Sequence, residues 1–465
     1  MRCFQTCWLM VVVGSWSTTG HAQSAAPTPR YPLIQSPARG AVPLSGAVGL
    51  ERLASLEVAD DASTPIEGSG ISSTGGSGCV GCQNGTGHQP FNGTLWDPSA
   101  NYTCGGASSG ASGIVGGVPC GCPNWYVGLN GLIMTRDDEN PAFFSYSDED
   151  ESIQLLNSRE ASMDWGGGVE FRLGRPFCGC EYGLEAVYWG LFPGTQESNL
   201  LQSQDINPGF FLNSTLNFDQ LDYDPGSGAL DAGNWFDSAE RHRLRRHYEY
   251  QNVEVNLIQQ PLFVSGYSPC GMNTACCGRN GISLGWLFGL RYFRSDEYLQ
   301  FATDRGDEVF GNNPDDEMFY DIDVENNLFG AQVGGQLRYA LTQRLHFNSA
   351  TKFGLYGNHI SHQSFIGGAN GAAIVNNGPN AGRAFDVRSS KNDVSFAGEI
   401  NLGGVYRLHP QWNLSAGYRA MAVTGLALPT EQIYPDLRGI DDLYDIDSNG
   451  SLILHGAYAG LEYLW

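Results

Sequence analysis

The sequence predicts an all-β chain, an antiparallel transmembrane β-barrel with an even number of strands, about 10–12, long outer loops and short periplasmic turns. Three observations predict it. From Trp125 to Trp465 the chain is a series of segments in which apolar residues recur with period two. The connections between those segments alternate between compact and long. No apolar run beyond the first few residues is long enough for a spanning helix, and a closed barrel is the other spanning structure that satisfies its own backbone.

The first element is an export signal. Arg2 supplies its positive region, Trp8 to Gly14 its short apolar core, and Gly20, His21 and Ala22 precede a cut at Gln23. Residues 1–22 therefore read as a removed signal peptide. No Leu-x-x-Cys lipidation motif accompanies it.

Residues 23–120 form the second element, a periplasmic tail or linker. Ala25 to Pro43 is rich in proline, and Gly68 to Gly78 and Gly105 to Gly117 are rich in glycine and serine. Such composition buries too little apolar surface to offset chain entropy.

The barrel occupies residues 121–465. Trp125, Val127, Leu129 and Ile133 share the first strand face, and Trp165, Val169, Phe171 and Leu173 the second. Tyr182 to Trp189 and Gly285 to Tyr292 alternate in the same way. Further strands read at residues 247–258, 328–339, 345–356, 394–406, 412–423 and 452–465, ten in all. A hairpin around Phe210–Tyr223 would make twelve, and 296–325 is a place for another.

Compact turns fall at Gly174–Gly179, Ser265–Gly281, Ala340–Arg344 and Arg407–Gln411. Long loops fall at Thr135–Ser162, Gly190–Arg246, Ser295–Asn327, Gly357–Asp393 and Thr424–Gly450. Charge sorts with length. The long loops carry acids such as Asp137, Asp315 and Asp441, while the turns carry Arg175, Arg279, Arg344 and Arg407. With a periplasmic N-terminus, every long loop lands outside.

The last strand is the sharpest local signal. Tyr463 and Trp465 alternate with Glu462 and Leu464, and Leu461, Ala459 and Ala457 continue the apolar face. A terminal aromatic residue on an amphipathic strand resembles the insertion signal of outer-membrane barrels. It implies the barrel-assembly machinery and outer-membrane lipid as partners. The competing reading is a soluble closing strand.

The region Trp125–Trp465 resembles the beta-barrel porin family numbered seven, of planctomycete-type bacteria. The resemblance rests on Trp125 to Leu129 with Arg136 and Asp137, on Ala239 to Arg246 running into Tyr248 to Leu257, and on the aromatic terminal strand. It implies a barrel in the outer membrane and, through the family name, porin-like passage of small solutes or ions.

Three groups of residues stand out as candidate sites. Arg241, His242, Arg243, Arg245, Arg246 and His247 form the single basic run of an acidic chain whose net charge is −24. They read either as a cationic ladder at the pore mouth or lumen or as a salt-bridge cluster packing a loop on the wall. Ten cysteines follow the signal: Cys79, Cys82, Cys104, Cys120, Cys122, Cys178, Cys180, Cys270, Cys276 and Cys277. In an exported chain these read as disulfides near the periplasmic rim, with zinc at Cys79-x-x-Cys82 as the alternative. Asp445, Asp447 and Asn449 resemble the start of a calcium loop, but Gly456 stands where its closing acid belongs, and a plain Asn-Gly turn fits better.

The acidic balance argues against nucleic acid as a partner. No residue set nominates catalysis or a cofactor. Two functions remain: a channel for passive diffusion, with acidic loops favouring cations, or a non-conducting structural or surface-interaction barrel. Eight strands enclose an interior that side chains fill, and 16–18 leave an aqueous channel, so a barrel of about 10–12 lies between the two. A soluble secreted β protein is the third reading.

Overall fold

The computed structural model describes residues 125–465 except 138, 148–149, 178–181, 203–210, 227, 260–261, 264–281, 307–308, 343 and 435–436, together with 114–115 and 118–119. The chain divides into two units, Met1–Gln89 and Pro90–Trp465, and all described residues belong to the second. The signal peptide and most of the 23–120 tail lie outside the described residues. Within that tail, Ile114–Val115 pairs antiparallel with Val118–Pro119.

Ten strands form the wall. They are β1 Tyr126–Arg136, β2 Gly166–Phe177, β3 Tyr182–Leu191, β4 Arg241–Gln259 and β5 Ile282–Asp304. They continue as β6 Glu317–Ala340, β7 Leu345–Gly368, β8 Asp386–His409, β9 Trp412–Leu426 and β10 Gly450–Leu464. Each pairs antiparallel with its neighbours in chain order, and β10 pairs with β1, so the sheet closes on itself. Closure removes the exposed edges that lipid cannot satisfy. At the seam, the Trp125 and Trp465 backbones exchange hydrogen bonds of 3.1 and 3.0 Å.

The outward face is apolar in one band. Leu129, Ile133, Phe171, Phe288, Phe329 and Phe353 all point out and are exposed, Phe353 by 65%. Such a belt meets lipid. The same faces were expected to be apolar from their period-two spacing.

Four strands run well beyond that belt. β5 to β8 each have 23 or 24 residues, and about ten suffice to span a bilayer at a tilt. Along β5 the outward residues Ile282, Leu284, Trp286, Phe288 and Leu290 give way to Arg294, Asp296, Tyr298 and Gln300. Over that upper stretch apolar residues enter the inward face, with Leu299 and Phe301 fully buried alongside Ser295 and Glu297. The polarity of the two faces thus inverts at the lipid boundary while the period of two continues.

This inversion corrects two expected boundaries. Most of 295–327 and of 357–393 is strand that rises above the membrane rather than loop. The expected hairpin near Phe210–Tyr223 lies outside the wall. Leu212–Ser214 pairs with Phe143–Ser147, and Leu221–Tyr223 pairs with Leu230–Asp231 and Ile374–Val375. These loop strands pack over the raised mouth around Phe144, Phe218, Trp235, Phe236, Phe301 and Tyr320. Phe218 and Phe236 stack at 3.6 Å.

The edge of β3 breaks at Phe192 and Pro193, where proline supplies no ladder donor. It resumes as Gly194–Leu201, which pairs with Arg241–Tyr248, while β3 itself pairs with Gln251–Gln259.

Candidate functional site

The lumen is the candidate site, because the strand period sends every second side chain into it. At membrane level those side chains include Glu170 of β2, Glu254 of β4, Arg291 of β5, Lys352 of β7, Glu399 of β8 and Arg419 of β9. None of the six is more than 8% exposed. Arg291 contacts both Glu254 and Glu399. Lys352 Nζ donates to the same two glutamates at 2.9 and 3.2 Å. Arg419 contacts Glu170 and lies 3.6 Å from Glu399, and Arg172 Nε donates to Glu170 at 2.6 Å.

Buried charges persist only when paired and hydrogen-bonded. The remaining glutamate lone pairs are filled by amides. Asn252, Asn256 and Gln332 donate to Glu254, at 3.0, 2.9 and 2.8 Å, and Asn130 donates to Glu170 at 2.7 Å.

A second ionic tier lies higher. Arg136 of β1 donates to Glu297 of β5 at 2.7 Å, and Arg246 contacts Glu139 and approaches Glu297 to 3.6 Å. Tyr250 donates to Glu297 at 2.9 Å. Between the tiers lies an apolar layer that includes Leu132, Met134, Trp189, Phe293, Leu328 and Met421.

A strap closes the mouth above. Gly425, one residue before the end of β9, has φ 79°, a conformation that disfavours any side chain. It turns Leu426–Gln432 inward, where Leu426 and Leu428 are buried. Asn326 of β6 clasps the strap, donating to the Ala427 carbonyl at 2.8 Å and accepting from the Ala427 N–H at 3.0 Å. Asn358 and Ser395 donate to the Gly425 carbonyl at 3.0 and 2.6 Å, and Thr430 donates to Glu139 at 2.8 Å. Partial burial, with Asp447, Glu139 and Glu297 nearby, pushes the half-exposed Glu431 carboxyl up to about 7.

The basic run of β4 is divided by strand parity. Arg241, Arg243 and Arg245 point outward above the lipid belt. Arg241 bonds Asn199, Arg243 lies over the Phe310 ring, and Arg245 pairs with Glu197 at 2.8 Å. His242 and Arg246 point inward. His242 contacts Ser145 at 2.6 Å, and Arg246 joins the upper tier. The six residues therefore do not form one ring.

Asp445 and Asn449 are exposed, and the Asp447 side chain accepts from the Asn449 N–H at 3.0 Å. Among the described residues no group of three His, Cys, Asp or Glu is placed to hold a metal. Tyr463 packs against the tilted Trp412 ring at 4.8 Å and stacks on Trp465 at 5.7 Å, on the lower rim. All the candidate cysteines lie outside the described residues.

Sequence reasoning missed the lumen charges. Each was visible as a lone charge on the face opposite an apolar one, such as Glu254 between Val253 and Val255, or Arg291 between Leu290 and Tyr292.

A sequence profile of the family described as Putative beta barrel porin-7 matches residues 173–442, more than half of the chain. A search of curated proteins finds no match. Among solved structures, the outer membrane protease OmpT of Escherichia coli aligns at 12% identity over 74% of this chain and 97% of its own, with a TM-score of 0.38. A major outer membrane protein of Thermus thermophilus aligns at 10% identity over 73% and 98%, with a TM-score of 0.26. The P. putida toluene transporter TodX aligns at 10% identity over 74% and 90%, with a TM-score of 0.25.

Proposed function

Because the chain belongs to the beta barrel porin-7 family, we propose that this outer-membrane barrel is a porin-like channel for small ions and solutes, held closed in the conformation described. The carrying observation is the chemistry of the lumen. A barrel that only anchored a surface domain gains nothing from ionised groups in its middle, since well-packed apolar residues are often as stabilising as a buried ion pair. Ionisable residues at membrane depth mark ion pathways. The acids of the outer loops favour cations as the species admitted.

A second reading has its own support. The lumen charges are buried and the mouth is covered by the strap and the packed loops, as expected of a non-conducting surface-interaction barrel. Planar-bilayer recording with the purified full chain separates the two. Discrete current steps in KCl support the channel, and silence across the voltage range supports the surface barrel.

Export by a cleaved signal and disulfides at the periplasmic rim belong to the same proposal. Intact-mass analysis of the mature chain, with and without reduction, tests both.

A further inference from the structure

We propose that the lower ionic tier is a latch whose opening leaves every charge paired. The inference rests on the channel reading. Glu254 of β4 and Arg291 of β5 stand directly opposite each other in register on one wall, and Lys352 of β7 and Glu399 of β8 do so on another. The contacts Arg291–Glu399 and Lys352–Glu254 cross the lumen between those walls. Each joins strands three places apart in a ring of ten.

Every crossing contact thus has a same-wall alternative already in place. If Arg291–Glu399 and Lys352–Glu254 separate, Arg291 keeps Glu254 and Lys352 keeps Glu399. The third crossing contact, Arg419–Glu170 between β9 and β2, follows the same rule. Arg419 retains Glu399 on the adjacent β8, and Glu170 retains Arg172 on its own strand.

Breaking a buried ion pair is costly chiefly because it strands an unpaired charge in a low dielectric. Here no charge is stranded. The closed state gains crossing contacts, and the open state gains hydration of the same pairs, so the two differ by little. A small difference between two discrete arrangements is what a gate requires. The residues that line the opened path are then alternating fixed acids and bases, a lining suited to hydrated small ions rather than to apolar solutes.

The test uses two electroneutral double variants of the full chain, recorded in planar bilayers in KCl. Glu254→Gln with Arg291→Met deletes one wall pair and both crossing contacts it makes, while Lys352–Glu399 stays intact. Glu170→Gln with Arg172→Met deletes the third crossing contact and leaves Arg419 on Glu399. Each is expected to raise the open probability at least about tenfold over the parent chain. Glu325→Gln with Arg294→Met deletes an ion pair on the outer face, outside the lumen, and is expected to stay as closed as the parent. Heat-modifiable mobility on gels verifies assembly, and if one double variant fails to assemble the other reads the same quantity. A conducting parent whose open probability is unchanged in the two lumen double variants overturns the latch alone, as does an equal leak in Glu325→Gln with Arg294→Met. Absence of current from the parent and every variant overturns the channel reading and the latch together.

Discussion

Replacing Asn326 by alanine should undock the strap without unfolding the barrel. The Asn326 side chain makes both hydrogen bonds to Ala427, at 2.8 and 3.0 Å, and accepts a third from Asn358 at 3.1 Å. Ala427 is buried. Truncation therefore leaves its N–H and C=O without partners, at about 1–3 kcal/mol for each stranded group. Water entering the space left by the amide recovers part of this, which leaves about 2–4 kcal/mol against the docked strap. At about 1.4 kcal/mol per factor of ten, the undocking equilibrium rises roughly 30- to 700-fold. Hydrogen–deuterium exchange of residues 425–432 in detergent micelles reads this directly, because the Ala427 amide exchanges only when its bond to Asn326 opens. Faster exchange confined to the strap, with the strands still protected, is expected. Strap exchange within about threefold of the parent chain would refute the assignment of Asn326 as its clasp.

Three further outcomes follow from the same geometry. Gly425→Ala places a Cβ 2.6 Å from the Val394 carbonyl oxygen at a φ of 79°, and should loosen the strap by about 1–3 kcal/mol, seen as the same localised exchange. Glu431 titrates near 7, raised by burial and by the facing acids, so its neutral form favours docking. Strap stability should be highest below the carboxyl's ordinary range, fall as pH rises toward 7 and then level off, and Glu431→Gln should abolish that slope between pH 5 and 8. Phe353→Arg, at the middle of the lipid belt, should destabilise the folded barrel by about 2–4 kcal/mol in a urea titration in lipid vesicles. Asn392→Arg, outward on β8 but above the belt, should change it by less than about 1 kcal/mol.

The sequence by itself determined the all-β class, the ten wall strands and which side chains meet lipid. The reason is that one apolar face with period two is a local property, readable from Leu129 and Ile133 or from Trp286, Phe288 and Leu290 without knowing their neighbours. It did not determine how far the strands run. Following a single apolar face stops at the lipid boundary, where Leu290 gives way to Arg294, although β5 continues to Asp304 with its apolar residues now facing in. Nor could a run such as Arg241–Arg246 be divided by inspection into three outward arginines and one that enters the upper tier. That division depends on β4 continuing as strand above the lipid belt, which carries its parity back to Arg241. Only the tertiary structure decided the lumen. Glu254 meets Lys352 and Arg291 meets Glu399 across about a hundred residues of chain, because ring closure brings β4 and β5 opposite β7 and β8. A contact made by closure leaves no local trace in sequence, which shows only isolated charges at inward positions and cannot say that they interlock.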